Sequence, residues 1–240
     1  MRRLFVPPGQ LSETGPAASA TVRLTGEQAR YLTAVLRLRP GDALEIFDGR
    51  GARYAAALEP GEILRVGARV LEEARALDVV LAQGLAKGEK MDLVVQKATE
   101  LGVTRIAPFE AERSVVKLSA ERGAARTERF RRIAQEAARQ CGRADVPLID
   151  EPRTLAALLE TDRLCLLLDP PAALRLSAAA RGVPRLLLAV GPEGGFSPGE
   201  LELAQRAGAA AVGLGPLVLR TETAGLAALA VLQHLHGALG

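Results

Sequence analysis

Two short segments concentrate the residue types that do chemistry: Gly191-Pro192-Glu193-Gly194-Gly195 and Leu219-Arg220-Thr221-Glu222-Thr223-Ala224. In the first, glycines let main-chain groups approach a ligand closely around a single carboxylate, Glu193. In the second, Arg220 and Glu222 stand two apart among threonines. A carboxylate near a substrate can accept a proton or orient it, and a guanidinium can stabilise developing negative charge or hold phosphate. A tight strand-to-helix turn would also use Gly-Pro-x-Gly-Gly, and helix capping would account for Thr221 or Thr223. Capping does not account equally well for Arg220 and Glu222. The dinucleotide fingerprint G-x-G-x-x-G is absent, as are the lysine and hydroxyl of a phosphate-cradling P-loop, so nicotinamide and nucleoside-triphosphate chemistry lose support.

Both segments need elements that hold them in place. Arg185 to Val190 reads as a buried strand running directly into Gly191. Ser197-Pro198-Gly199-Glu200 then predicts a helix start, with Ser197 as N-cap, Pro198 at the first helical position and Glu200 closing a capping box. Val212-Gly213-Leu214-Gly215-Pro216-Leu217-Val218 leaves a strand through glycines and enters the final helix, which carries Leu226, Leu229 and Leu232. Two loops of this kind at the carboxyl ends of parallel strands bracket one ligand site. Further strands are predicted at Val79 to Gln83, Arg105 to Phe109, Leu164 to Asp169 and Ala211 to Leu214. Helices are predicted at about Lys90 to Leu101, ended by Gly102, and about Ala125 to Cys141, ended by Gly142. The longer helix turns Phe130, Ile133, Ala134, Ala137, Ala138 and Cys141 inward and carries arginines on its other face. The near-continuous apolar strands imply a parallel sheet covered on both faces by helices.

Residues 1 to 71 have a different rhythm, with short strands at Ala43 to Phe47, Tyr54 to Leu58 and Leu64 to Val70 separated by Asp48-Gly49-Arg50-Gly51 and Glu59-Pro60-Gly61. One helix interrupts them, capped by Thr25 with Gln28 three residues on, turning Leu32, Val35 and Leu36 inward before Pro40-Gly41. The expected organisation is a small β-rich barrel over 1–71 and an α/β domain over 72–240.

With 240 residues and 48% hydrophobic side chains, two domains are the most the chain can build. Its longest apolar runs are strand-length, and no signal-peptide core precedes Pro7-Pro8, so a soluble, cytosolic protein without membrane contact is expected. Cys141 and Cys165 lack metal-ligand spacing and are expected as small buried side chains; His234 and His236 fall on different faces of a helix. No metal site is therefore expected. The net charge of +3 resides in the first 70 residues, where ten arginines face seven acids. Such an excess fits a nucleic-acid surface weakly, and a merely solvated surface better.

The ordered set of motifs closely resembles RsmE, the small-subunit ribosomal RNA uracil-N3 methyltransferase family of the SPOUT class. The resemblance runs through Val35-Leu36-Arg37-Leu38 with Gly41-Asp42, Lys87-Gly88, Gln96-Lys97-Ala98-Thr99-Glu100-Leu101-Gly102-Val103 and Ser114-Val115-Val116. It continues through Glu136-Ala137-Ala138-Arg139-Gln140-Cys141-Gly142-Arg143 and the two loops above. One departure is Arg30-Tyr31, where the family tends to have histidine.

The resemblance implies a PUA-like N-terminal barrel that docks RNA and a C-terminal SPOUT domain with a deep trefoil knot. It implies S-adenosyl-L-methionine as cofactor, held by Leu168, Gly191, Pro192, Gly194, Gly195, Leu214, Gly215, Leu217, Leu219, Thr221 and Thr223. The implied reaction is methylation of uridine N3 in 16S ribosomal RNA, with Arg220, Glu193 and Glu222 as candidate catalytic residues. Arg3, Arg37, Lys97, Glu100, Arg139, Gln140 and Arg143 are the implied RNA contacts. The family implies a homodimer acting on ribosomal RNA within the small subunit. A SPOUT enzyme of other specificity, ribose oxygen included, and a non-catalytic RNA-binding assembly protein are the alternatives.

Overall fold

A computed structural model describes residues 2–11, 20–71, 75–114 and 120–240, so the Val115-Val116 part of one motif lies outside the described residues. The chain forms two compact units, one of residues 1–74 with 135–146, the other of 75–134 with 147–240.

In the first unit, β1 (Arg3–Phe5), β2 (Ala20–Arg23), β3 (Ala43–Phe47), β4 (Ala52–Glu59) and β5 (Ile63–Leu71) form one sheet in the order β1-β3-β4-β5-β2. All pairings are antiparallel except β1 with β3. Val6, Val22, Leu32, Ile46, Leu58 and Leu64 form its core, joined by Leu11 of the short α1 (Pro8–Leu11). The capping box appears at α2 (Gly26–Arg30), where the Thr25 hydroxyl accepts from the Gln28 amide and the Gln28 side chain accepts from Thr25 N–H. The predicted continuation differs. Tyr31–Val35 is a π-helical turn, with the Leu36 amide donating to the Tyr31 carbonyl at 3.0 Å. The wider turn changes the rotation per residue. Leu32 stays buried, Leu36 is half-buried, and Val35, expected inside, is 65% exposed.

Residues 135–146 belong to this unit because Arg3 reaches them. Its guanidinium donates to the carbonyls of Ala138 and Arg143 and to the Glu45 carboxylate at 2.6 Å, and lies over the Phe47 ring. Phe5, Phe47, Ala138, Ala144 and Val146 pack around the same point. A boundary at residue 71 drawn along the sequence leaves this returning segment out.

The second unit contains β6 (Asp78–Gly84), α3 (Lys90–Glu100), β7 (Arg105–Glu110), α4 (Ala120–Cys141, its end in the first unit), β8 (Leu148–Ile149), β9 (Arg153–Thr154) and α5 (Leu155–Leu159). It continues with β10 (Leu164–Leu168), α6 (Leu176–Ala179), β11 (Arg185–Val190), α7 (Pro198–Arg206), β12 (Ala210–Val212) and α8 (Thr221–Leu235). Its seven strands run in the order β12-β10-β11-β6-β7-β8, with β9 beside β7, and every pairing is parallel. On one face Val80, Ala82, Phe109, Leu167 and Leu187 pack under Leu155 and Leu158 of α5 and Ala204 of α7. On the other, α8 comes close at Gly225, where an added Cβ would lie 3.3 Å from Gln83 Oε1 and 3.5 Å from Val190. Cys165 is buried as expected, whereas Cys141, at the end of α4, is exposed.

Register decides where the site lies. Val190 pairs with Gln83 and with Leu168, and Leu168 pairs with Val212. The last residues of β10, β11 and β12 and the penultimate residue of β6 therefore stand in one row, and the loops that follow open at one edge.

Candidate active site

A cavity of about 540 Å³ lies at that carboxyl edge, within the size range of small-molecule sites. Leu168, Asp169 and Pro170 form one wall, residues 190–195 the second, and Leu214, Gly215 and residues 217–221 the third. Ten of the eleven residues implied as cofactor contacts line it. Thr223 does not; it is exposed on the first turn of α8.

The two glycine-containing loops are tied together by a side chain. Arg220, not a threonine, occupies the N-cap position of α8, without a side-chain capping bond. Thr221 is freed from the capping role expected of it. Its buried hydroxyl donates to the Gly191 carbonyl at 2.6 Å and accepts from Gln83 Nε2 at 2.9 Å. Gly84 brings the third strand end equally close: a Cβ there would lie 2.6 Å from the Pro192 nitrogen. Gly195, with φ of +67°, turns the loop back, and its amide donates to the Pro192 carbonyl at 2.9 Å. Beyond the turn the capping box stands as predicted: Ser197 Oγ accepts from the Glu200 amide and Glu200 Oε2 from the Ser197 amide. The other oxygen of Glu200 accepts from the Glu112 amide, and Arg113 donates to the Gly194 carbonyl at 3.1 Å.

The charged groups divide into a free cation and a linked set. Arg220 lines the cavity, is exposed, and has no ion pair among the described residues. Glu193 Oε1 accepts from Lys90 Nζ at 2.8 Å and from the Lys87 amide at 3.3 Å, while Lys90 Nζ also stands 3.6 Å from Glu222 Oε2. Burial pushes the Glu193 carboxyl upward, but the hydrogen bonds from Lys90 and the backbone, with the charge of Lys90, hold it below the ordinary glutamate value. The same contact with Glu193 raises Lys90. Glu222 Oε2 is buried without a hydrogen-bond partner, and Glu222 does not itself line the cavity.

Sequence reasoning missed Lys90, which reads as an ordinary first residue of a helix. Its only signal is its place three residues after the Lys87-Gly88 element, on the loop between β6 and α3. Asp169 and Pro170 were also missed because their strand was expected to include Asp169 and end there.

The implied RNA contacts are not gathered at the cavity. Lys97 and Glu100 pair with each other on α3 at 2.9 Å. Arg37, with φ of +55°, and Gln140 are exposed on the first unit; Arg139 lies 3.9 Å above the Tyr31 ring and pairs with Glu136. Two assignments are corrected. The side chains of Arg3 and Arg143 are 1% and 6% exposed, the first bonded as described above and the second bidentate to Asp145. Guanidinium groups so enclosed hold the first unit together rather than face a phosphate at its surface. Among the described residues no group of three His, Cys, Asp or Glu is placed to hold a metal ion.

Comparison with known proteins assigns both the parallel-sheet unit and the small β unit to RNA methyltransferases. The RNA methyltransferase domain model matches residues 73–233, and the RNA methyltransferase PUA domain model matches residues 24–66. The chain is 32% identical to ribosomal RNA small subunit methyltransferase E of Bacillus subtilis, over 98% of this chain and 96% of the relative. It is 35% identical to the Synechocystis protein of the same name, over 97% and 77%. The crystal structure of ribosomal RNA small subunit methyltransferase E from Neisseria gonorrhoeae bound to S-adenosyl methionine superposes with a TM-score of 0.87, at 32% identity and 98% coverage of both chains. The chain belongs to the ribosomal RNA small subunit methyltransferase E family.

Proposed function

We propose that this protein binds S-adenosyl methionine in the cavity at the carboxyl edge of its parallel sheet and methylates N3 of a uridine in 16S ribosomal RNA of the small subunit. The observation that carries this reading is the joining of the Gly191 loop to α8 through Thr221, with Arg220, which makes no ion pair among the described residues, at the preceding position. The cavity suits the cofactor chemically. Leu168, Leu214, Leu217 and Leu219 offer apolar walls to an adenosine, and Gly191, Pro192, Gly194, Gly195, Gly215 and Thr221 offer main-chain groups. When bound, the cofactor supplies a methyl group activated by a positively charged sulfur.

The protein's own part is to orient the reactants and manage charge, since holding two reactants in line supplies much of the acceleration. Arg220 stabilises the uracil oxygen that becomes negative as N3 loses its proton to solvent water. Glu193, held as a carboxylate by Lys90, orients a donor group better than it removes a proton. Glu222 stands behind Lys90.

The trefoil knot of SPOUT enzymes is proposed for this region on the family to which the chain belongs. Leu217 and Val218, 75% and 78% exposed beside the cavity, support a homodimer in which a second copy covers them. Arg37, Arg139 and Gln140 on the PUA-like unit, and Lys97 and Glu100 on α3, are the proposed RNA contacts. No helix among the described residues is long and apolar enough to cross a membrane, which is compatible with action on ribosomal RNA in the cytoplasm.

The test is transfer of labelled methyl from S-adenosyl methionine to unmodified small subunits and, separately, to naked RNA. Label in either supports the reading. Tight cofactor binding with no transfer to either substrate contradicts it.

A further inference from the structure

Lys90 is the first residue of α3, yet it is turned to the cofactor cavity rather than to solvent, with its side chain 31% exposed. It meets two carboxylates from different elements: Glu193 from the loop after β11, at 2.8 Å, and Glu222 from the first turn of α8, at 3.6 Å. The rest of the charge nearby is accounted for. Asp92, two residues along α3, is bidentate to Arg129, and Glu89 precedes Lys90 at the N-cap. Asp169 and Arg220 line the same cavity from the loops after β10 and before α8. Lys87 contributes only its amide, to Glu193. Glu222 Oε2, buried and without a hydrogen bond, has Lys90 as its ion-pair partner.

We propose that Lys90 is a positioning residue of the methyl-transfer site: its one ammonium, shared by Glu193 and Glu222, ties the Gly191 loop to the first turn of α8 and so sets where Arg220 stands. The inference rests on the methyl-transfer reading for its catalytic consequence, though not for its structural one. Two carboxylates that meet at one ammonium repel each other once it is removed. Without Lys90 the repulsion falls on the two walls that the Thr221–Gly191 hydrogen bond must hold together, and burial of Glu222 Oε2 is left wholly uncompensated.

The experiment compares wild type with Lys90→Met, Lys90→Arg and the double variant Lys90→Met with Glu222→Gln. Calorimetry with S-adenosyl methionine is expected to show affinity weakened about tenfold or more in Lys90→Met and within about threefold of wild type in Lys90→Arg. Most of the loss should return in the double variant, which removes the repulsion by another route. In ligand-free protein the melting-temperature gap between wild type and Lys90→Met is expected at neutral pH. It should shrink as pH falls below the ordinary glutamate value of about 4.3 and through the lowered value of Glu193, because the ion pair is lost there. The acid limb of kcat should move to higher pH in Lys90→Met, since Glu193 without the hydrogen bond and charge of Lys90 takes up a proton more readily, and stay in place in Lys90→Arg.

Wild-type affinity in Lys90→Met, or a folded double variant that recovers nothing, overturns the proposal. If wild type transfers no methyl group, the functional reading fails, while affinity and melting still decide the role of Lys90.

Discussion

The Thr221 hydroxyl donates to the carbonyl of Gly191, thirty residues earlier, at 2.6 Å in a buried position, and accepts from Gln83 at 2.9 Å. One side chain thus joins the ends of β6 and β11 to the start of α8. Thr221→Val keeps the shape and removes both bonds, taking this donor from the buried Gly191 carbonyl and leaving Gln83 Nε2 only its 3.2 Å bond to the Gly84 carbonyl. Urea unfolding is expected to show a loss of about 2 kcal/mol, and S-adenosyl methionine affinity should fall with it. Unchanged stability would mean that the loops are held by other contacts.

Glycines 84 and 199 make opposite predictions. A Cβ at Gly84 meets the Pro192 nitrogen at 2.6 Å and the Gly191 carbonyl carbon at 3.0 Å, both main chain, so Gly84→Ala must push the cofactor loop away. Affinity for S-adenosyl methionine should drop at least about tenfold, with a lowered melting temperature. At Gly199, in the first turn of α7, the nearest group is 3.7 Å away, and Gly199→Ala should be neutral or stabilise by up to about 1 kcal/mol. Calorimetry and thermal melting of the pair check both.

Arg3 is expected to behave as a structural residue. Its guanidinium is buried against Glu45, Phe47 and two carbonyls of the returning segment, so Arg3→Ala leaves the Glu45 carboxylate and those carbonyls without it. Denaturant unfolding should show a loss of about 3 kcal/mol. In the fraction that remains folded, RNA affinity and its salt dependence should match wild type; a reduced salt slope would return Arg3 to the phosphate-binding surface.

Arg220 makes no ion pair among the described residues and stands at the mouth of α8, so Arg220→Ala should leave the fold and the cofactor affinity intact. Methyl transfer should fall about a hundredfold, the usual cost of losing one preorganised donor to a developing oxyanion. Rates and affinity measured on one preparation decide it; equal rates would remove Arg220 from the reaction.

The loops were legible because each combines a buried strand, glycines and a recognisable helix start, and such local signals survive folding, as Ser197 and Thr25 show. What joins the loops was not legible. Thr221 looks like a cap, and only the register that sets Val190 beside Gln83 turns its hydroxyl toward Gly191. Lys90 carries no pattern of its own, because its partners come from about 100 and 130 residues further along the sequence. Arg3 was misread for the converse reason: arginine is ordinarily exposed, and nothing local announces that residues 135–146 return to enclose it. Val35 followed a helical spacing that the π-helical turn at Tyr31–Val35 does not keep.

The central claim is methyl transfer to N3 of a uridine, and nucleoside mass analysis of the RNA after reaction with labelled S-adenosyl methionine tests it most directly. The expected result is label in 3-methyluridine from a single site of 16S ribosomal RNA. Label on a ribose oxygen or on another base would contradict it.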